Sequence, residues 1–157
     1  MGRMAKVHVD LDLRWADQDA YGHINNVTFA RYLEEARVRV FWTGAAREDT
    51  GLEQHFRADL PGGFKMLVAN MRIDFVRVLN YSTHPITVAV WIGRLGGSSL
   101  DVHYEVIDNS GDEPVTVAKA ITTIVTVDGE TLRPKRLSDE GRRAVQPWQD
   151  EPLNLTR

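Results

Sequence analysis

The sequence predicts a two-layer α+β domain in which an antiparallel sheet curls around one long helix. Three observations predict it. An apolar stripe at helical spacing runs from about Val27 to Thr43. One alternating segment precedes that stripe, and four strand-like segments follow it between Met71 and Val127. The connections between the later segments are short and turn-like, which argues for antiparallel hairpins. At 157 residues the chain fits a single domain, 1–157. A chain of this size buries about two-thirds of its unfolded surface and needs no staples.

The elements follow in order. Val7, Val9, Leu11, Leu13 and Trp15 alternate with His8, Asp10, Asp12 and Arg14, a half-buried strand by its period of two. In the helix, Phe29, Leu33, Ala36 and Val40 form the core stripe, widened by Ala30 and Phe41. Arg31, Glu35 and Arg39 lie on another stripe at i, i+4 spacing, where they can pair weakly. Asn25 or Asn26 is the N-cap and Gly44 the stop. Residues 45–65 read as irregular or short helical structure, broken by Pro61-Gly62-Gly63 before the next strand.

Met71, Ile73 and Phe75 alternate next, with a phase change near Val76 and Val78 that suggests a bulge. Ile86, Val88, Val90 and Ile92 follow, then Leu100, Val102, Tyr104 and Val106. Val115, Val117, Ile121, Val125 and Val127 close the series. Turn residues separate them at Asn80-Tyr81-Ser82, Gly96-Gly97, Asn109 to Asp112 and Asp128-Gly129. A last amphipathic turn runs from Ser138 to Val145, with Ser138 as cap and Pro147 as stop, and the tail from about 150 to 157 is expected to be mobile.

Composition narrows the function. A net charge of -3 gives no general nucleic-acid footprint. The absence of cysteine excludes disulfides, thiolate metal sites and a Cys nucleophile. Met1 to Lys6 carries basic residues without an apolar h-region, and no apolar run approaches the roughly 18 residues of a membrane span. The expectation is a cytoplasmic protein with no membrane partner. No Gly-x-Ser-x-Gly elbow is present, so a serine hydrolase is disfavoured. His8, His55, His84 and His103 are scattered without ligand spacing. A calcium loop starting at Asp17 would need Glu at its twelfth place, which holds Thr28, so the metal reading is rejected.

The chemistry concentrates in R-W-A-D-Q-D-A-Y-G-H-I-N-N, residues 14–26. Asp17 and Asp19, the turn Gly22-His23 and the helix start at Asn25-Asn26 follow one another closely. That order sets a carboxylate beside free backbone N–H groups, which stabilise developing negative charge. It points to hydrolysis of an acyl compound. Plainer readings stand beside it: both aspartates as turn formers, the asparagines as caps, His23 as a solvated turn residue, and Glu34 and Glu35 as a solvated helix face.

D-Q-D-A-Y-G-H-I-N-N followed by F-A-R-Y-L-E-E-A-R resembles the 4-hydroxybenzoyl-CoA thioesterase-like family of the hotdog fold. The segments R-I-D-F-V-R-V-L and G-R-L-G-G-S-S-L are similar too, so the resemblance covers roughly residues 5–128. It implies a five-stranded antiparallel sheet wrapped around a long central helix, in a homodimer or dimer of dimers with sites at the interface. It implies Asp19 as general base or nucleophile in acyl-CoA thioester hydrolysis. Backbone N–H groups around Gly22 and His23, near the helix start, would form the oxyanion hole. Tyr21 would line the acyl pocket or the interface, and Asn25 or Asn26 would touch substrate or serve as caps. Asp17, Glu34 and Glu35 are lesser catalytic candidates. No metal or organic cofactor is expected, and the substrate is an acyl-CoA or an acyl-carrier protein. Arg72, Arg77, Arg94, Lys135 and Arg136 are unassigned candidates for the coenzyme A phosphates. Two alternatives are an acyl hydratase or dehydratase built on His23, and a non-catalytic acyl-CoA or fatty-acid binding module.

Overall fold

The computed structural model describes residues 5–59 and 64–156. The break expected at Pro61-Gly62-Gly63 lies outside the described residues. Five strands, β1 (Val7–Leu11), β2 (Phe64–Phe75), β3 (Ile86–Leu95), β4 (Ser99–Asp108) and β5 (Val115–Asp128), form one antiparallel sheet in the order β1-β3-β4-β5-β2. Helix α1 (Asn26–Val38) continues as a π-helical turn, Arg39–Thr43, and ends at Gly44, whose φ of +67° gives a left-handed cap. A short helix α2 (Glu53–Phe56) follows, and α3 (Asp139–Val145) lies after the sheet.

The expected stripe is the buried one: Phe29, Leu33, Ala36, Val40 and Phe41 are all buried, and Tyr32 joins them. They pack on the inner residues of the sheet, among them Val88, Val90, Val102, Tyr104, Ala120 and Ile124. Asn25 is the cap, its side chain accepting from the Val27 amide at 3.0 Å. Glu35 and Arg39 pair at 3.1 Å. Ser138 caps α3 through the Gly141 amide at 3.1 Å.

Four differences from the sequence expectations have physical causes. The first strand ends at Leu11; Trp15, placed on the strand by its alternation, begins a 3-10 turn and is 74% exposed. The second strand starts at Phe64, well before Met71, and carries a register shift between Val68 and Asn70. That shift restores the phase. Met66 and Val68 before it and Met71, Ile73 and Phe75 after it all sit opposite inward residues of β5. The expected phase change near Val76 is also present, since the Val76 and Arg77 amides both donate to the Val117 carbonyl, at 2.8 and 3.1 Å.

The third difference is topological. The turn at Asn80-Tyr81-Ser82 does not close a hairpin, because β2 pairs with β5 and β3 lies on the far side of β4. The fourth is the tail. Residues expected to be mobile run across the outer face of the sheet. The Asp150 amide donates to the Ile92 carbonyl (3.0 Å), Trp91 Nε1 to the Glu151 carbonyl (2.9 Å), the Leu153 amide to His103 Nδ1 (3.1 Å) and the Thr156 amide to Asp74 Oδ2 (2.8 Å). Pro147 sits inside a 3-10 turn, Gln146–Trp148, that leads into this strap.

Candidate active site

The segment between β1 and α1 is a small closed loop. The Asp19 amide donates to the His23 carbonyl (2.7 Å), and the Gly22 amide returns to the Asp19 carbonyl (3.1 Å). Gly22 holds φ at +78°, a left-handed conformation that an L side chain adopts only with strain. The Ile24 amide donates to the Leu79 carbonyl (2.8 Å) and the Asn25 amide to the Asp17 carbonyl (2.9 Å), so the loop is tied to the crossover and to the preceding turn.

The two aspartates have different surroundings. Asp17 is buried and saturated. Its Oδ2 accepts from the Tyr32 hydroxyl (2.8 Å) and the Arg14 amide (3.0 Å), and its Oδ1 from the Arg14 guanidinium (3.2 and 3.3 Å). Burial pushes its pKa up, but the Tyr32 and Arg14 hydrogen bonds outweigh burial and hold the carboxyl below its ordinary range. Burial and the same contact push the Tyr32 hydroxyl well above the usual phenol range. Asp17 is thereby a fixed anion that orders the turn, with no oxygen left for a substrate.

Asp19 is half-exposed. Its Oδ1 accepts from the amides of Tyr21 (2.8 Å) and His23 (3.1 Å). Its Oδ2 has no protein partner among the described residues. One oxygen thus orients the carboxylate while the other faces outward, the arrangement a base or nucleophile needs.

The oxyanion expectation meets a constraint here. The Gly22 and His23 amides are already engaged with Asp19. At the helix start, Asn25 takes the Val27 and Thr28 amides through its side chain and carbonyl. The Asn26 amide, first in α1, donates to no protein acceptor among the described residues, and it points from the positive end of the helix dipole.

The other expected residues are scattered around this loop. Tyr21 is 85% exposed, and Val27 beside it 73%. His23 forms an isolated bridge with Asn80, and its ring has no carboxylate partner among the described residues. Glu34 and Glu35 sit on the exposed side of α1, with Glu35 held by Arg39. Two cavities flank the helix. One, about 390 Å³, is charged and lined by Arg14, Asp17, Arg31, Glu34, Glu35 and Arg39 among others. The other, about 320 Å³, lies toward β2 and is mostly apolar. Asp19 lines neither. Sequence reasoning missed Tyr32 and Arg14 as the holders of Asp17. Tyr32 was findable on the stripe of Phe29, Leu33 and Ala36; its bond across the loop had no local signal.

Residues 13–148 match the thioesterase-like superfamily. The chain belongs to that superfamily. Its architecture is the hotdog fold, and its chemistry is thioester hydrolysis. The chain is 26% identical over 140 residues to the long-chain acyl-CoA thioesterase FadM of Escherichia coli K12, covering 89% of this chain and 97% of FadM. Among solved structures it resembles a Thermus thermophilus thioesterase complexed with coenzyme A and zinc, at 30% identity and a TM-score of 0.67 over 89% of this chain and 97% of that one. It also resembles a protein described as a predicted thioesterase from Bacillus stearothermophilus, at 26% identity and a TM-score of 0.76, covering 94% and 99% of the two chains.

Proposed function

We propose that this hotdog thioesterase hydrolyses acyl-CoA thioesters to the free acid and coenzyme A, with Asp19 as the catalytic group. The carrying observation is the pair of environments in the loop: Asp17 consumed by Tyr32 and Arg14, Asp19 anchored by one oxygen and open at the other. Asp19 Oδ2 either attacks the thioester carbonyl or takes a proton from the attacking water. The oxyanion of the tetrahedral intermediate lies against the Asn26 amide, the helix-start donor that the turn leaves unused. Donors of this kind contribute roughly 100–1,000-fold in a protease where one was removed. The thiolate of coenzyme A departs with the electron pair of the C–S bond; in the route where Asp19 attacks, water then cleaves the acyl anhydride formed on Asp19, releasing the acid and restoring the carboxylate. The likeness to an acyl-CoA thioesterase and to a coenzyme A complex supports the choice of substrate. The hydratase alternative lacks support, since it needs an acid paired with His23.

The working unit is a homodimer that continues the sheet through β2. This 12-residue strand is an edge, and Leu67, Val68, Met71 and Phe75 on it are each 40–47% exposed. A long apolar edge left open is an aggregation hazard that pairing with a second copy removes. Pairing there would also bring a partner surface toward the open carboxylate of Asp19.

Hydrolysis of a panel of acyl-CoAs, read by release of the coenzyme A thiol, tests the reaction. The chain has no cysteine of its own to react with the thiol reagent. Wild type is expected to turn over part of the panel, and Asp19→Asn to lose at least 100-fold in kcat while keeping its melting temperature. The Asn side-chain oxygen still accepts the Tyr21 and His23 amides. Full activity in folded Asp19→Asn sinks the mechanism.

A further inference from the structure

The apolar cavity beside α1 is lined by Val38, Phe41 and Trp42 of the helix, Met66 and Val68 of β2, and Ile124 of β5, yet it contains two charged side chains, Glu34 and Arg37. Arg37 is half-buried and reaches inward. Its Nη1 donates to the hydroxyl of Tyr104 at 3.3 Å, and Tyr104 is fully buried. Among the described residues Arg37 has no carboxylate within ion-pair distance. Thr122, also fully buried, lies beside the Tyr104 hydroxyl on the same inner face of the sheet. A guanidinium with five donors is therefore held at the inner side of an apolar cavity by one long bond to a neutral phenol. Its remaining donors are available to an acceptor that enters the cavity.

Strand β2 approaches the helix at its two ends. Phe75 packs edge-on against Phe29 near the helix start (5.3 Å between ring centroids), and Phe64 meets Phe56, which meets Phe41 near its end. Between those ends the register shift at Val68 and Asn70 keeps Phe75, Ile73, Met71, Val68 and Met66 on one face. The helix presents Val27, Ala30, Glu34 and Val38 at i+3 and i+4 spacing. From Asn26 to Arg37 the axis rises about 16 Å at 1.5 Å per residue. At roughly 1.3 Å per bond in an extended carbon chain, that is about a dozen carbons.

We infer that this cavity receives the far part of the acyl chain and selects chains that carry a hydroxyl group there, roughly a dozen carbons from the thioester. The inference rests on the thioesterase reading for the position of the reacting end. A hydroxyl accepts from Arg37 and donates to Glu34, an exposed residue at the rim of the same cavity. A terminal carboxylate would meet the like charge of Glu34, and a plain hydrocarbon would add no acceptor for Arg37 beyond the Tyr104 hydroxyl. Arg37 is a specificity-determining residue in this reading, and Asp19 is untouched by it.

The test compares coenzyme A esters of equal length, about twelve to sixteen carbons, in plain, hydroxylated near the far end and ω-carboxylated forms. Wild type is expected to favour the hydroxylated ester over the plain one by about 10-fold in kcat/KM, as a buried hydrogen bond to a charged group implies. Arg37→Met is expected to bring that ratio close to 1 while still hydrolysing the plain ester; Arg37→Lys is expected to keep part of the preference. Calorimetric Kd values for the same esters on folded Asp19→Asn read the cavity with turnover suppressed. A hydroxyl preference in binding with no hydrolysis of any ester overturns the thioesterase reading and leaves the cavity assignment standing. Equal kcat/KM for plain and hydroxylated esters in wild type with equal Kd on Asp19→Asn overturns the cavity assignment, as does a preference unchanged in folded Arg37→Met.

Discussion

At the scale of single residues, two carboxylates two positions apart have been given different work by their hydrogen bonds. Asp17 meets Tyr32 and Arg14 in a buried turn; Asp19, half-exposed, meets only backbone amides. A hydrogen bond to a charged group contributes about 1.5–3 kcal/mol, so Tyr32→Phe is expected to destabilise the fold by about that much. Asp17 is then left with Arg14 alone and its carboxyl titrates closer to the ordinary range. Denaturant unfolding of Tyr32→Phe against wild type checks this, and a change under about 0.5 kcal/mol, the usual range for surface substitutions, contradicts it. The sign with pH follows from the lowered folded pKa: the Asp17 contribution is present above the unfolded value near 3.9 and is lost as pH falls through the folded value. Both aspartates stood out in the sequence as a pair. Which one was free did not, because the choice depends on a tyrosine fifteen residues away.

At the scale of elements, the helix start does two things at once. Asn25 satisfies the Val27 and Thr28 amides and leaves that of Asn26 open. Asn25→Ala removes the side-chain cap and is expected to cost about 1 kcal/mol of stability. It also lets the first turn fray, so kcat is expected to fall severalfold with KM changed less. Equal loss of melting temperature with unchanged kcat means that the helix start has no part in the chemistry. The cap, the helix and its stop at Gly44 were legible because their signals are local. The bulge between Val68 and Asn70 was not, since residues 64–70 lack a clean alternation until their pairing with β5 is known. Its effect is large: without it, either Phe64, Met66 and Val68 or Met71, Ile73 and Phe75 would turn outward.

The whole molecule depends on its edges and its strap. Leu67→Lys puts a charge on the exposed β2 edge and is expected to shift the protein from dimer to monomer in sedimentation equilibrium, with activity falling alongside. A variant that stays dimeric and active moves the interface elsewhere. The strap is tied to the sheet through His103, which is 2% exposed and stacked on Trp91 at 5.7 Å between ring centroids. Burial lowers its pKa below the ordinary value; the nearby charge of Asp101 opposes that shift and Arg72 adds to it. As pH falls below about 6.5 the unfolded chain therefore takes up a proton that the folded chain refuses, so stability falls on acidification. The neutral ring also accepts the Leu153 amide, a bond that protonation of Nδ1 removes. Melting temperatures between pH 7.5 and 5.5 are expected to drop more for wild type than for His103→Gln. Equal slopes would remove His103 from the acid sensitivity of the fold.

The sequence by itself determined what periodicity and local turn chemistry encode: one long capped helix, alternating strands, hairpins at Gly96-Gly97 and Asn109 to Asp112, and a loop of acid, glycine and helix start. These depend on neighbours within a few positions, so they are written in the order of the residues. Only the tertiary structure decided that β2 crosses to the far edge beside β5, that the tail lies over Trp91 and His103, and that Arg37 stands in an apolar cavity under Tyr104. Each of those joins residues far apart in the chain. Such contacts are fixed by which surfaces remain to be buried once the local elements have formed, and no short stretch of sequence carries that information.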